Sequence, residues 1–401
     1  MSVPPIVWNE SRLNDVLVSL ESGSRPKGGS TVSSGEIPSL GGEHVQRNGT
    51  ISVSDLKLIP RDYYIKMKRG KVKKGDVLLV KDGATTGKVG IVRPDYPHNE
   101  VAVNEHVFIC RVKPNLLLPE YLFYHMFSSM GQKQILNNFH GSAIGGINQD
   151  FADNYVIHFP SLAVQRKIVT ILEKAEETKL LRAQANELTQ KLLQSVFFEM
   201  FGEPTKNTKA WAIRKLGELG HWTSGGTPSR AVMAYFDGEI PWYTTGELND
   251  FYLDDSIEHV SQIALESSSA KLFPPGTLLI GMYDTAALKM GILTIPSSSN
   301  QACAAFLPKK GEMDSLFALH LLKIMKPTFL SSRRGVRQKN LSQTIIKEFK
   351  VPLPPYSLQL QFHQIADMIN LEYTNQLQIS HELTELTNAL VKQAFTGELV
   401  A

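Results

Sequence analysis

The stretch KGDVLLVKDGATTGKVGIV, residues 74–92, is written a second time, without a gap, as PGTLLIGMYDTAALKMGIL, residues 275–293. Taken alone, the first version invites comparison with a phosphate-binding loop, since it sets two glycines and a lysine between apolar runs. A Walker A loop needs four residues between its glycines and a Ser or Thr after the lysine. Here three residues separate Gly83 from Gly87, and Val89 follows Lys88. The second version completes the exclusion. Asp284 stands where Gly83 does and Leu288 where Gly87 does, so the backbone N–H groups could not close on an anion in both copies. What both keep is a lysine two residues before a glycine, Lys88 with Gly90 and Lys289 with Gly291. This predicts two strands joined by a turn whose tip varies, and a fixed scaffold with a variable tip suits recognition better than catalysis.

The repetition extends along the whole chain in one order. GEIPSL (35–40) returns as GEIPWY (238–243), and VNEHVFICRVKP (103–114) as SNQACAAFLPKK (299–310), with Asn104 over Asn300. PSLAVQ (160–165) returns as PPYSLQ (354–359), and NELTQKLLQSVFFEMFGE (186–203) as HELTELTNALVKQAFTGE (381–398). The period, about 200 residues, is far longer than the 20–50 of a solenoid, so the chain is a tandem duplication of a domain plus a helix.

Beyond Pro160 the pattern becomes helical. Ile168, Ile171, Ala175, Thr178, Leu181, Ala185, Leu188, Leu192 and Val196 follow at steps of three or four, until Gly202 and Pro204 stop the run. The second copy has Phe362, Ile365, Ile369, Tyr373, Leu377, Leu383, Leu386 and Leu390. Each stripe needs a partner, and the two predict an antiparallel coiled coil, a rod of ~50–60 Å. The predicted fold is therefore α+β: two similar mixed-sheet domains, residues 1–160 and 204–355, joined by long helices over 161–203 and 356–401.

Composition narrows the function. No apolar run approaches the ~20 residues of a membrane span, and the N-terminal residues do not read as a secretory signal. Cys110 and Cys303 lie in apolar strand-like runs and read as buried small side chains, which fits a reducing cytoplasm. The net charge of +3 is mild, but RDYYIKMKRGKVKK (61–74) and SSRRGVRQKN (331–340) are locally basic. The eleven histidines show no metal-ligand spacing, and no metal site is predicted. Asp254 and Asp255 have no counterpart in the first copy, which argues against a nuclease centre. LPPY (353–356) comes near an amino-methyltransferase signature, yet Leu353 stands where a polar residue must hold the target amine.

With its duplicated order, GDVLLVKDGATTGKVGIV, then GSAIGGINQDFADNYVIHFPSLAVQRKIV, then a long helix, and again RRGVRQKNLSQTIIKEFKVPLPPYSLQLQ with its own helix, the chain resembles the specificity (S) subunits of type I restriction–modification systems over nearly its whole length. The resemblance implies two target-recognition domains, each reading one half of a split, asymmetric DNA target, and no catalytic activity in this chain. It implies two methyltransferase subunits as partners and, through them, two restriction subunits. S-adenosylmethionine, ATP and Mg are expected on those partners and no cofactor on this chain. A rod of that length would place the domains about 15 base pairs apart on B-DNA, before its tilt is counted. A scaffold that makes no base contacts is the competing class, with a DNA methyltransferase further behind.

Base reading needs polar side chains on exposed loops, and phosphate contacts need Lys or Arg. The candidates in the first copy are Arg25, Lys27, Arg47, Lys81, Thr85, Thr86, Lys88, Asn148 and Gln149. In the second they are Arg230, Tyr283, Lys289, Arg333, Arg334, Arg337 and Lys339, the last four dense enough to clamp phosphates. Lys88 and Lys289 recur at one position, which points to the DNA backbone or to a structural role, because the two domains should read different bases.

Overall fold

The computed structural model describes residues 6–27, 35–141, 145–249, 251–283, 287–331 and 341–399. The chain forms two compact units, residues 1–183 with 378–401, and residues 184–377. In the first, β1 (Asn9–Arg12), α1 (Leu13–Val16), β2 (Leu17–Ser22), β3 (Ile37–Leu40) and β4 (Lys57–Ile59) lead to α2 (Arg61–Lys66). There follow β5 (Val77–Val80), β6 (Val89–Ile91), β7 (Ala102–Val103), β8 (Val107–Val112), α3 (Pro119–Phe127) and α4 (Ser129–Asn137). The short strands β9 (Phe139–His140) and β10 (Gly146–Ile147), then α5 (Phe151–Asn154) and β11 (Val156–Phe159), bring the chain to the long helix α6 (Leu162–Phe201).

The main sheet has the order β2-β8-β5-β6, a smaller one β4-β3-β7, and β1 pairs with β11. Pairing is antiparallel except between β3 and β7, so the unit is mixed. Strand β5 shows why its sequence is an unbroken apolar run. Val77 and Leu79 enter the core beneath the helices, Leu78 and Val80 enter the core on the opposite face, and all four are fully buried. A strand covered on both sides has no face to leave polar.

The second unit repeats this plan. It runs β12 (Ala212–Lys215), β13 (Gly220–Ser224), β14 (Ile240–Tyr243), β15 (Phe251–Leu253), β16 (His259–Val260), α7 (Gln262–Ser267), β17 (Leu278–Gly281) and β18 (Met290–Leu293). Next come β19 (Ser298–Ser299), β20 (Cys303–Pro308), α8 (Ser315–Ser331), α9 (Gln343–Lys347), β21 (Lys350–Leu353) and the long helix α10 (Tyr356–Thr396). The sheets β13-β20-β17-β18-β15 and β16-β14-β19 and the pair β12-β21 match those of the first unit, with β15 added in parallel along β18. The 74–92 and 275–293 stretches are antiparallel strand pairs with a turn between them, β5–β6 and β17–β18.

Within each unit the long helices pack together in opposite directions. In the first unit, Ile168, Val169 and Leu172 of α6 share a core with Leu390, Val391, Ala394 and Phe395 of α10. In the second, the Phe197 ring lies 5.3 Å from that of Phe362. There the Thr189 hydroxyl donates to Gln376 Oε1 at 3.0 Å, and Gln190 hydrogen-bonds the Tyr373 hydroxyl.

The apolar stripe read from the sequence needs correcting in phase. Ile168 and Phe362 are buried, and Ile171, Ala175, Ile365, Ile369, Leu383 and Leu390 are half-buried. Leu181, Leu188, Leu192, Leu377 and Leu386 are instead 57, 65, 52, 46 and 54% exposed. The buried line passes through the neighbouring positions, Leu193 and Phe197 on α6, with Thr189 half-buried, and Asn370, Gln376 and Thr387 on α10. Polar residues occupy part of the seam, so counting apolar residues selects the neighbouring row.

Candidate nucleic-acid interface

One end of each unit is built from the tips of the same strands. In the first, Gly87 N donates to Val80 O at 2.8 Å and Val80 N to Lys88 O at 2.9 Å, closing the turn. In the second, Leu288 N donates to Gly281 O and Gly281 N to Lys289 O, each at 2.8 Å. Gly87 takes φ +88° and Leu288 φ +55°, so the turn keeps its left-handed residue after the glycine is lost. Leu288 tolerates that backbone because its side chain is fully buried in the core. The lysines Lys88 and Lys289 close the turn through their carbonyls and have half-buried side chains.

The neighbouring loops are fixed to this turn in parallel fashion. Asn104 Oδ1 accepts from His106 N at 2.9 Å, and Asn300 Oδ1 from Ala302 N at 3.0 Å. Lys81 N donates to His106 O at 2.9 Å, as Met282 N does to Ala302 O at 3.0 Å. Ile147 N donates to Lys81 O and Leu341 N to Met282 O, both at 2.7 Å. A Cβ on Gly23 would collide with the Val103 carbonyl, which holds the loop after β2 against the same edge. The segments 22–27, 41–49, 81–88, 104–106 and 145–149 therefore converge in the first unit, and Met282, Ala302 and Leu341 are joined in the same way in the second.

Side chains at the first tip divide into engaged and free groups. Arg25 Nε lies 2.8 and 2.9 Å from the Glu105 carboxylate oxygens, which raises its pKa. Its guanidinium also meets His106, whose other ring nitrogen meets Asp82. Lys81 lies 3.9 Å from Asp82 and 5.3 Å over the Phe108 ring. The Thr86 hydroxyl donates to Gly83 O at 2.7 Å, Thr85 to Gly42 O at 3.4 Å, and Asn148 to Asp150 at 3.0 Å. Lys27, Arg47 and Gln149 are exposed.

At the second tip, Arg230 pairs with Glu258 and stacks 4.6 Å from Phe236 and 5.6 Å from Trp242, so it braces its own loop. Tyr283 is 42% exposed. Arg333, Arg334, Arg337 and Lys339 lie outside the described residues. The sequence reading missed several groups here. Thr227 meets Gln301, Lys271 donates to the Thr223 hydroxyl at 2.9 Å, and Gln343 donates to Thr223 O at 2.5 Å. One signal could have found Gln343: LSQ (341–343) follows the basic stretch as INQ (147–149) ends its counterpart.

The helices are bolted to the units by a repeated glutamine. Gln165, fully buried, accepts from Leu118 N and donates to Leu116 O and Pro160 O, each at 2.9 Å. Gln359, equally buried, accepts from Asp314 N at 2.9 Å and donates to Glu312 O at 3.0 Å and Pro354 O at 2.9 Å. The LPPY stretch is thus the junction of β21 with α10. Cys110 and Cys303 are buried thiols pushed up to about 12 by that burial. Among the described residues no cluster of His, Cys, Asp or Glu could hold a metal ion, and no helix is long and apolar enough to cross a membrane.

The family model "Type I restriction modification DNA specificity domain" matches residues 5–190 and 208–388. The specificity subunit of type I restriction enzyme MjaIX from Methanocaldococcus jannaschii is 28% identical over 37% of this chain and 35% of its own length. That of EcoR124I/EcoR124II from Escherichia coli is 25% identical over 52% of each chain. That of HindI from Haemophilus influenzae is 17% identical over 82% of this chain and 87% of its own. The chain thus spans about a third and about half of the first two relatives. Its fold is similar to a type I restriction–modification S subunit from M. genitalium, with a TM-score of 0.62 and 18% identity over 98% of this chain and 97% of that one. A second solved chain, from work on assembly of a type I restriction–modification system, has a TM-score of 0.63 and 20% identity with both chains fully covered.

Proposed function

Because the chain belongs to the type I restriction modification DNA specificity domain family, we propose that it is the non-catalytic DNA-reading subunit of such a system. Residues 1–160 and 204–355 each read one half of a split, asymmetric target. Residues 161–203 and 356–401 form the spacer that sets the unread gap. The observation that carries this reading is one strand scaffold built twice, with the same backbone anchors and different side chains at its tips. A duplicated enzyme would keep its chemistry in both copies; a reader of two different half-sites would keep the frame and vary the tip.

Lys27, Arg47, Gln149 and Tyr283 are the described candidates for direct contact, and Arg333, Arg334, Arg337 and Lys339 for phosphates. Arg25 and Arg230 act as positioning residues, since their guanidinium groups are spent on Glu105 and Glu258. The spacer recruits two methyltransferase subunits and, through them, two restriction subunits; S-adenosylmethionine, ATP and Mg belong to those partners. The exposed Leu181, Leu188 and Leu192 on α6 support docking of an apolar partner surface.

The test is an exchange of residues 1–160 for the same region of another family member, followed by mapping of methylated bases in the host DNA. One half of the target should change and the other persist. A change in both halves, or in neither, would remove the modular reading.

A further inference from the structure

The basic segment that follows α2 is not used by the tip described above. Lys66, Lys68 and Arg69 are exposed there, and with Ser24, Tyr63 and Met67 they line a shallow depression of about 370 Å³. The hydroxyls of Ser24 and Tyr63 lie 2.7 Å apart on its floor. The segment is seated on the loop that carries Arg25: a Cβ on Gly70 would strike Gly23, and Gly70 O accepts from Val103 N at 2.9 Å. Three neighbouring cations are engaged. Arg61 pairs with Glu36 and Glu100, Lys71 donates to Ile65 O at 3.1 Å, and Lys74 to Tyr96 O. Lys66, Lys68 and Arg69 have no ion pair or side-chain hydrogen bond among the described residues.

The second unit supplies an internal comparison. Its corresponding segment after α7 reads Ser267, Ser268, Ser269, Ala270, Lys271, and a Cβ on Gly226 would strike the Ser269 backbone. The place in the fold is the same, but its one lysine is held on Thr223. The first unit therefore carries three free cations where the second carries Ser267, Ser269 and Ala270.

We propose that Lys66, Lys68 and Arg69, with the hydroxyls of Ser24 and Tyr63, form a phosphodiester-docking patch that fastens the first unit to the DNA backbone, and that the second unit has no such patch. The inference rests on the DNA-reading function above. Freely placed ammonium and guanidinium groups beside hydroxyl donors suit phosphate oxygens and carry no base information. They continue the recognition tip through Ser24 and Arg25. Each neutralised phosphate contributes about 0.9 to the slope of log affinity against log salt, so three such cations should add about two to three to that slope.

The experiment compares the full chain with a variant carrying Lys66→Gln, Lys68→Gln and Arg69→Gln, binding a duplex of arbitrary sequence across a salt series by fluorescence anisotropy. The slope should fall by about two to three and the affinity by about tenfold or more at low salt. A charge-keeping variant, Lys66→Arg with Lys68→Arg and Arg69→Lys, should retain the parent slope, which separates charge from folding. Ser267→Lys with Ser269→Lys should raise the slope in the second unit. Binding by the parent with an unchanged slope in the glutamine variant would overturn the patch while leaving DNA reading intact. A parent that binds no duplex at any salt would remove DNA reading, and the patch with it.

Discussion

His363, in the second turn of α10, sits between two aspartates. Its Nδ1 lies 2.8 Å from Asp314 Oδ2 and its Nε2 3.2 Å from Asp367 Oδ2. Asp314 also accepts from Leu316 N at 3.0 Å and Phe317 N at 2.9 Å, capping α8, while the Tyr252 hydroxyl donates to Asp367 at 2.5 Å. The hydrogen bond to Asp314, followed by the two carboxylate charges, raises the histidine's pKa against the opposing effect of burial. A group whose folded pKa is raised stabilises the fold fully below its unfolded value of about 6.5, and that stability is lost as pH rises through the folded value. At the matching level of α6, Arg93 pairs with Glu173 at 2.9 Å, a contact whose cation does not titrate in this window. Amide exchange over residues 356–370, corrected for intrinsic chemistry, should therefore quicken as pH rises above the unfolded value of about 6.5, and His363→Gln should abolish the step. The same step in the variant would exclude the histidine as its cause. Local exchange is the right readout because His125 and His320, lowered to about 3 by burial, destabilise the fold on the acid side instead. None of this was legible in the sequence: Asp314 stands 49 residues from His363, and a single histidine on a helix reads as a surface group.

At the scale of elements, the period of the long helices was legible and their phase was not. Steps of three and four mark a helix whatever fills the seam. The phase was lost because Asn370, Gln376 and Thr387 sit in the buried row while leucines sit beside it. Adjacent leucines on α6 make the distinction measurable: Leu192 is 52% exposed and Leu193 only 9%. In denaturant unfolding of the isolated chain, Leu193→Ala should cost about 2–4 kcal/mol, since it removes packed methyl groups and leaves a cavity. Leu192→Ala should stay within about 0.5 kcal/mol of the parent. The reverse order would restore the stripe drawn from apolar residues alone. The strands were easier to read. The apolar runs of β5 and β17 admit only a doubly covered strand, and the duplication showed that their turn could not be a phosphate loop. The tips were least legible, because Arg25 and Arg230 find partners 80 and 28 residues away, Glu105 and Glu258, that no local pattern announces.

For the molecule as a whole, the duplication carried most of what could be read: it gave a repeated domain and two long helices. It could not distinguish the two copies, because the serines after α7 and the lysines after α2 differ only in side chains that do not shape the fold. The proposed ruler belongs to this scale. If paired helices set the gap between half-sites, then lengthening both must move the gap and leave the bases read unchanged. Each helix passes from one compact unit to the other between Ala183 and Gln184 and between Leu377 and Gln378, so one helical turn would be inserted at each point. A turn adds about 5.4 Å, or at most about one and a half base pairs of B-DNA before tilt is counted. Insertion into α6 alone should fail to do this, because the added turn would have no partner and would shift the seam out of register. Methylated-base mapping should show both half-sequences kept and the unread gap longer by about one base pair in the double insertion. A gap of unchanged length in a folded, active double-insertion protein would mean that spacing is set elsewhere than along these helices.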